Sequence, residues 1–288
     1  MDQAPQKTSY TGRFAPSPTG DLHFGSLVAA VASYLQAKHA GGRWLIRMED
    51  IDPPREVPGS AAAIIRDLAR LGLHSDRQVL YQGRRTDAYR TAVDTLLQEG
   101  KAFGCACSRK DLPSSGRYPG TCRNGLGKGK TPRAVRLRVD SSRIEFTDLV
   151  QGDISENLET SVGDFVIWRA DGLPAYQLAV VLDDAYQGIT EVVRGADLLD
   201  STARQIYLQR CLGLATPLYA HLPLAMHSDG RKLSKRYRSD PLASVSPAQA
   251  VYLALKFLGQ SPPAGMGLED LWCWAIENWH LASVPPSA

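Results

Sequence analysis

"RFAPSPTGDLHFGS", residues 13–26, sets two prolines, two glycines, a histidine and an arginine directly before a long alanine-rich segment. Residues 10–15 read as a short strand, and 26–40 as a helix that Gly41 and Gly42 stop. "RWLIRMED" (43–50) then reads as a buried strand running into acidic residues, and "IDPPREVPGS" (51–60) as a proline-rich loop. Strand, helix, strand is a parallel βαβ unit, with the quoted turn at the carboxyl end of its first strand. Open α/β sheets bind ligands at such ends. Gly20 and Gly25 let backbone approach a ligand closely, and the helix opening near Ser26 offers unpaired N–H groups and about half a positive charge. His23 can donate to a phosphate oxygen from that first turn.

Outward from this unit, further helices are expected over 60–71 and 86–99. The stretch 101–132 breaks the pattern, being rich in glycine, cysteine and basic residues. "AVRLRVD" (134–140) and "RIEFTDLVQGD" (143–153) alternate like antiparallel strands, and Ala170, Asp171 and Gly172 mark a turn. The α/β pattern resumes with "EVVRGADLL" (191–199) and a helix over 202–212; from 241 onward the chain reads as mostly helical, with a loose tail.

A chain of 288 residues, 43% hydrophobic and 22% charged, can bury a substantial core. No apolar run approaches the roughly 20 residues that span a bilayer. The opening "MDQAPQKTSYTG" has no apolar stretch of the secretory type, so a cytoplasmic location without membrane contact is expected. The net charge of +3 names no partner, but its distribution is uneven. Eleven Lys and Arg residues between Lys101 and Arg143 face only Asp111 and Asp140, and a second cluster holds Arg231, Lys232, Lys235, Arg236 and Arg238. Two such clusters read either as solvated surface or as contacts for a polyanion.

Half a charge cannot balance a triphosphate, so a second cationic element is needed, and "RKLSKRYRS" (231–239) supplies one. Here "PSPTGDLHFGS" and "KLSKR" resemble the two signatures of class I aminoacyl-tRNA synthetases. "RFAPSPTG", "RMEDIDPPR" and "VVRGADLLDSTARQIYLQRCLG" resemble blocks of the glutamyl branch, in order over roughly residues 10–240. The resemblance implies an α/β fold: a Rossmann-like class I catalytic domain in two halves, 8–100 and 161–240. It places a zinc-binding and β-rich antiparallel insertion at 101–160, and a small helical C-terminal region at 241–288 without an anticodon-binding domain. It also implies ATP-dependent conversion of L-glutamate to glutamyl adenylate. His23 and Lys235 would stabilise the phosphates, and Gly20, Gly25, Ser26 and Lys232 would complete an ATP site that Mg²⁺ shares.

Glutamate brings one ammonium and two carboxylates, so its site calls for arginines and a carboxylate. Arg13, Glu49 and Arg194 stand at expected strand ends that converge on one crevice. The resemblance adds Phe14, Ala15, Pro16, Ser17 and Tyr176. Taken alone, Arg13 and Glu49 read equally as a structural ion pair, and Tyr176 as a core aromatic. The reaction needs no protein nucleophile, only alignment and charge stabilisation.

Cys105, Cys107 and Cys122 are clustered, which in a cytosolic chain suggests metal more than disulfide. A closed zinc site wants four ligands, and the segment contains no histidine. Glutamyl-branch enzymes carry a zinc insertion with this spacing, which implies Cys105, Cys107, Tyr118 and Cys122; otherwise these are free thiols and a surface tyrosine. Cys211 and Cys273 read as packing residues. "NGLGKGKT" (124–131) approaches a P-loop, but Asn124 replaces its first glycine and Pro132 stands where the helix should run.

Only residues 237–288 follow the second signature, whereas longer synthetases of the branch continue into an anticodon-reading domain. The chain therefore resembles their short paralogues, which activate glutamate without tRNA and transfer it to queuosine at the wobble position of tRNA(Asp). The expected partners are ATP, L-glutamate and that tRNA, acting on a monomer. The alternatives are a minimal enzyme charging the tRNA 3′ end and a non-catalytic RNA-binding relic. A nucleotidylyltransferase would explain the opening turn but not Arg13, Glu49 and Arg194 together.

Overall fold

A computed structural model describes residues 10–224 and 245–287. Lys232 and Lys235 lie outside the described residues. The chain opens with β1 (Thr11–Phe14), α1 (Phe24–His39), β2 (Arg43–Met48), α2 (Ser60–Arg70) and β3 (Leu80–Tyr81), the three strands parallel in the order β1-β2-β3. The expected βαβ unit is thus present, with Arg13 in register with Leu45. Leu27, Val28, Val31 and Leu35 on α1 are buried at helical spacing. The helix starts at Phe24, ahead of the expected Ser26, because the His23 ring accepts the Ser26 N–H and serves as its N-cap.

After α3 (Thr86–Gln98), β4 (Ala102–Cys105) pairs antiparallel with β5 (Ala134–Leu137). Next come β6 (Arg143–Asp148), β7 (Gly152–Asn157), the single turn α4 (Leu158–Ser161) and β8 (Val166–Trp168). The two segments expected as antiparallel strands are so, though not with each other. β5 lies between β4 and β8, whereas β6 forms a hairpin with β7 and runs parallel to a later strand. Alternation fixes which face of a strand is buried and is silent about its partner.

The chain continues through α5 (Tyr176–Gln187), β9 (Glu191–Gly195), α6 (Leu199–Leu212) and β10 (Leu218–Leu222), giving a second sheet of order β7-β6-β10-β9. This sheet abuts the first along β1 and β9. Thr190 N donates to Thr11 O at 2.9 Å, and Arg13 Nη1 to Val193 O at 3.4 Å. Strand order reverses at that seam, which opens the crevice where doubly wound sheets bind ligands. One apolar cluster fills the α1 side of the seam, and a second lies beneath α3, α5 and α6. The last helices, α7 (Pro247–Phe257) and α8 (Leu268–Glu277), join the first cluster. Trp272 Nε1 donates to Leu71 O at 2.8 Å and Trp279 Nε1 to Gln36 Oε1 at 2.6 Å, tying the C-terminal region to α1 and α2. Among the described residues, no helix is long and apolar enough to cross a membrane.

Candidate active site

The quoted turn leaves β1 and presents His23 to solvent at the mouth of α1. His23 Nδ1 accepts the Ser26 N–H at 3.2 Å, which makes Nε2 the protonated nitrogen of the neutral ring. Nε2 then donates to Ser26 Oγ, 3.1 Å away. A Cβ on Gly25 would sit 3.3 Å from both Cε1 and Nδ1 of this ring, so glycine there lets histidine fold back over the helix start. Gly20 has a φ of +148°, and its backbone exchanges two hydrogen bonds with Ser60 Oγ, at 3.2 and 2.6 Å. The turn is thus braced against the first residue of α2.

Behind it lies a cluster of buried charge. Arg13 Nε and Arg47 Nη1 both donate to Asp184 Oδ1, at 3.1 and 2.7 Å. Arg47 also donates to Gln187 Oε1 at 2.9 Å and to Glu49 Oε1 at 3.5 Å. The two carboxylates respond oppositely to similar burial. Burial favours the neutral acid in Asp184, but Arg13 and Arg47 overcome it and hold the group below the usual carboxylate range. In Glu49 burial wins over the same two arginines, and its carboxyl stands above the usual range. Glu49 is thus a carboxylate that gains from a further cation. Its N–H donates to Pro16 O at 2.9 Å, fastening the end of β2 to the opening turn.

Tyr176, at the first position of α5, belongs to this neighbourhood. Burial raises its phenol; Glu49 and Asp184 add to the rise, while Arg194 and Arg13 oppose it. Ala15 and Pro16 are partly buried and Ser17 is exposed. Phe14 differs from its neighbours, because its ring points into the core and stacks on Trp44 at 6.5 Å between centroids. Only its backbone is left to face the crevice.

Arg194, in β9 beside Gly195, is held from three sides. Its Nε meets His221 Nε2 at 3.0 Å, and its Nη2 donates to Thr202 Oγ1 at 2.9 Å and Leu198 O at 3.4 Å. Its Nη1 is buried and has no hydrogen-bond partner among the described residues. Sequence reasoning missed Arg47, Asp184 and His221. The available signal was a charge inside an apolar run, in "RWLIRM" and "LAVVLDD", where burial demands a partner.

A third cluster gathers the cysteine segment. The sulfurs of Cys105, Cys107 and Cys122 lie within 4.8 Å of one another, spacing that suits thiolates sharing a metal with bonds of about 2.3 Å. The Tyr118 hydroxyl is 3.5 Å from Cys105 Sγ and accepts the Cys122 N–H at 2.8 Å. Burial, with the neighbouring thiols, pushes Cys107 up to about 11; a divalent cation among them would reverse that shift. These residues could hold a metal ion. Arg136 Nε donates to Cys105 Sγ at 3.3 Å and its guanidinium lies over the Tyr118 ring, securing two of the four groups.

Comparison with known proteins identifies the family. The family described as tRNA synthetases class I (E and Q), catalytic domain, matches residues 10–245. A "Glutamyl-Q tRNA(Asp) synthetase" of Dechloromonas aromatica is 54% identical over 288 residues, covering 96% of each chain. One of Pseudomonas fluorescens, bearing the same name, is 54% identical over 286 residues, covering 98% of this chain and 96% of its own. Among solved structures, a glutamate tRNA ligase from Elizabethkingia meningosepticum, in complex with its amino acid, superposes with a TM-score of 0.83 at 27% identity. That likeness covers 96% of this chain and 66% of the ligase.

Proposed function

The chain belongs to the class I tRNA synthetases of the E and Q group, and on that premise we propose that it activates L-glutamate and transfers it to queuosine in tRNA(Asp). The family uses ATP, an amino acid and tRNA. The observation that carries the amino-acid assignment is the buried cluster at the seam, where Arg13 and Arg47 share Asp184, Glu49 takes a 3.5 Å contact from Arg47, and Arg194 Nη1 has no partner among the described residues. Glu49 has the character to receive the substrate ammonium, and the guanidiniums of Arg13 and Arg194 to receive its carboxylates. The backbone of Phe14, Ala15, Pro16 and Ser17 forms the near wall, and the Tyr176 phenol stays protonated as a donor.

With glutamate held there, an oxygen of its α-carboxylate attacks the α-phosphorus of ATP. A P–O bond forms to the substrate as the bond to the departing pyrophosphate breaks. His23 Nε2 and the N–H groups opening α1 would stabilise the charge that builds on the phosphates, with Gly20, Gly25 and Ser26 shaping the cradle. By the resemblance of "KLSKR" to the second class I signature, Lys232 and Lys235 would share that task. Mg²⁺ accompanying ATP would supply further neutralisation. A hydroxyl of the queuosine cyclopentenediol then attacks the adenylate carbonyl, forming an ester and releasing AMP. Cys105, Cys107, Tyr118 and Cys122 would hold a structural zinc ion outside this chemistry. The queuosine assignment is supported by 54% identity across nearly the whole length of relatives so named.

The test has two stages. Glutamate-dependent pyrophosphate exchange without tRNA is expected; its absence, or preference for another amino acid, overturns the activation step. Tritiated glutamate should pass to tRNA(Asp) containing queuosine and not to matched tRNA lacking it. Acceptance by the unmodified tRNA favours charging of the 3′ end instead.

A further inference from the structure

We propose that Asp148 and His221 are positioning residues, a buried relay that fixes the Arg194 guanidinium for the amino-acid carboxylate. The inference rests on the reading of the site given above. His221 lies on β10 and Asp148 at the end of β6, the strand beside it; both side chains are wholly inaccessible. Asp148 Oδ1 accepts three backbone N–H groups, from Val150 at 3.0 Å, Gln151 at 2.9 Å and His221 at 3.1 Å. Its other oxygen lies 2.6 Å from His221 Nδ1. A carboxylate so supplied with donors stays ionised, and it selects the Nδ1–H tautomer of the imidazole.

The consequence reaches Arg194. In that tautomer Nε2 carries the lone pair, and it accepts the Arg194 Nε–H at 3.0 Å. In the other tautomer two N–H groups would point at each other across the same gap. The relay thus holds one edge of the guanidinium while Thr202 and Leu198 hold Nη2, which leaves Nη1 as the nitrogen without a partner among the described residues. Rigid placement of a charged donor matters here because a small displacement of a substrate-positioning group costs binding and alignment together. A merely structural pair on β6 and β10 would brace the sheet and have no need to end on Arg194.

Two substitutions separate the halves of the histidine. His221→Asn keeps an amide N–H where Nδ1 donates and removes the acceptor at Nε2. His221→Gln can keep an oxygen where Nε2 accepts. His221→Asn should raise the KM for glutamate about ten- to a hundredfold in pyrophosphate exchange, with the KM for ATP unchanged. His221→Gln should stay within about fivefold of the parent. An unchanged glutamate KM in His221→Asn, an equal rise in the ATP KM, or equal damage in His221→Gln overturns the proposal. If His221→Asn does not fold, Asp148→Asn carries the same test, since an amide there removes the preference for the Nδ1–H tautomer. ¹⁵N NMR of the parent reads that tautomer directly, and a proton on Nε2 overturns the relay. If the parent shows no glutamate-dependent exchange, the functional reading falls, and the NMR result still decides whether the relay exists.

Discussion

Replacing Asp184 with asparagine and Glu49 with glutamine should separate stability from function at two carboxylates of one cluster. Asp184 takes hydrogen bonds from Arg13 and Arg47, at 3.1 and 2.7 Å, and these hold it ionised against its burial. Its neutralisation leaves two guanidiniums buried without their shared anion, a change that costs roughly 3–5 kcal/mol, or about 6–20 °C in Tm for a chain of this size. Because its folded pKa is depressed, that stabilisation is present above the unfolded value of about 3.9 and is lost as pH falls through the folded value. The gap between parent and Asp184→Asn, measured by calorimetry, should therefore be full at pH 7 and shrink below about pH 4. Glu49 has the opposite sign. Its folded pKa is raised by burial, so the ionised group costs stability at neutral pH and the cost is relieved as pH falls. Glu49→Gln should melt within about 2 °C of the parent or above it. Its KM for glutamate should nevertheless rise roughly 30-fold or more, since the substrate ammonium loses a buried charge partner. The reasoning is refuted if Glu49→Gln melts as early as Asp184→Asn, or if Asp184→Asn keeps the parental Tm.

Gly25→Ala should gain up to about 1 kcal/mol from helix propensity, yet slow pyrophosphate exchange about tenfold by displacing the His23 ring 3.3 Å away. A parental rate would show that the ring's placement does not matter. Metal analysis should find one zinc per chain, lost in Cys122→Ser. The segment 101–139 of that variant should then be cut by protease, while exchange without tRNA stays within about threefold of the parent. A metal-free parent, or a variant whose exchange collapses, would overturn the structural role given to the ion.

The opening βαβ unit was legible because its signals are local. Gly41 and Gly42 end the helix, and Trp44, Leu45, Ile46 and Met48 mark a buried strand. Its exact start was not, because a histidine that caps a helix with its own ring follows no common cap pattern. The partners of the later strands were also hidden. Asp148 ends a strand whose neighbour, Tyr219, arrives only after three more strands and two long helices have been laid down. The same distance hid the heart of the site. Arg47 and Asp184 are 137 residues apart, and each alone is a charge in an apolar segment, a pattern that signals a partner without saying which.

Adjacent residues on α5 show how a site differs from an internal brace. Asp183 is fully buried, and both its oxygens are occupied: Tyr89 Oη donates to Oδ2 at 2.7 Å, Gln82 Nε2 to Oδ2 at 2.8 Å and Arg85 Nε to Oδ1 at 2.6 Å. That carboxylate is satisfied from within the chain, and it locks α3 to α5. One residue on, Asp184 gathers Arg13 and Arg47 but leaves the ends of the cluster uneven. Among the described residues, Glu49 receives a single 3.5 Å contact, with its carboxyl raised above the usual range by burial, and Arg194 Nη1 has no partner. A fold selected only for stability would close both ends, since each buried polar group left short of partners costs about 1–3 kcal/mol. The two ends carry opposite charge and share the seam of the sheet, which is the arrangement an ammonium and a carboxylate on one small molecule would complete. Glutamate present during thermal melting should accordingly raise the Tm of the parent, and should not raise that of Glu49→Gln.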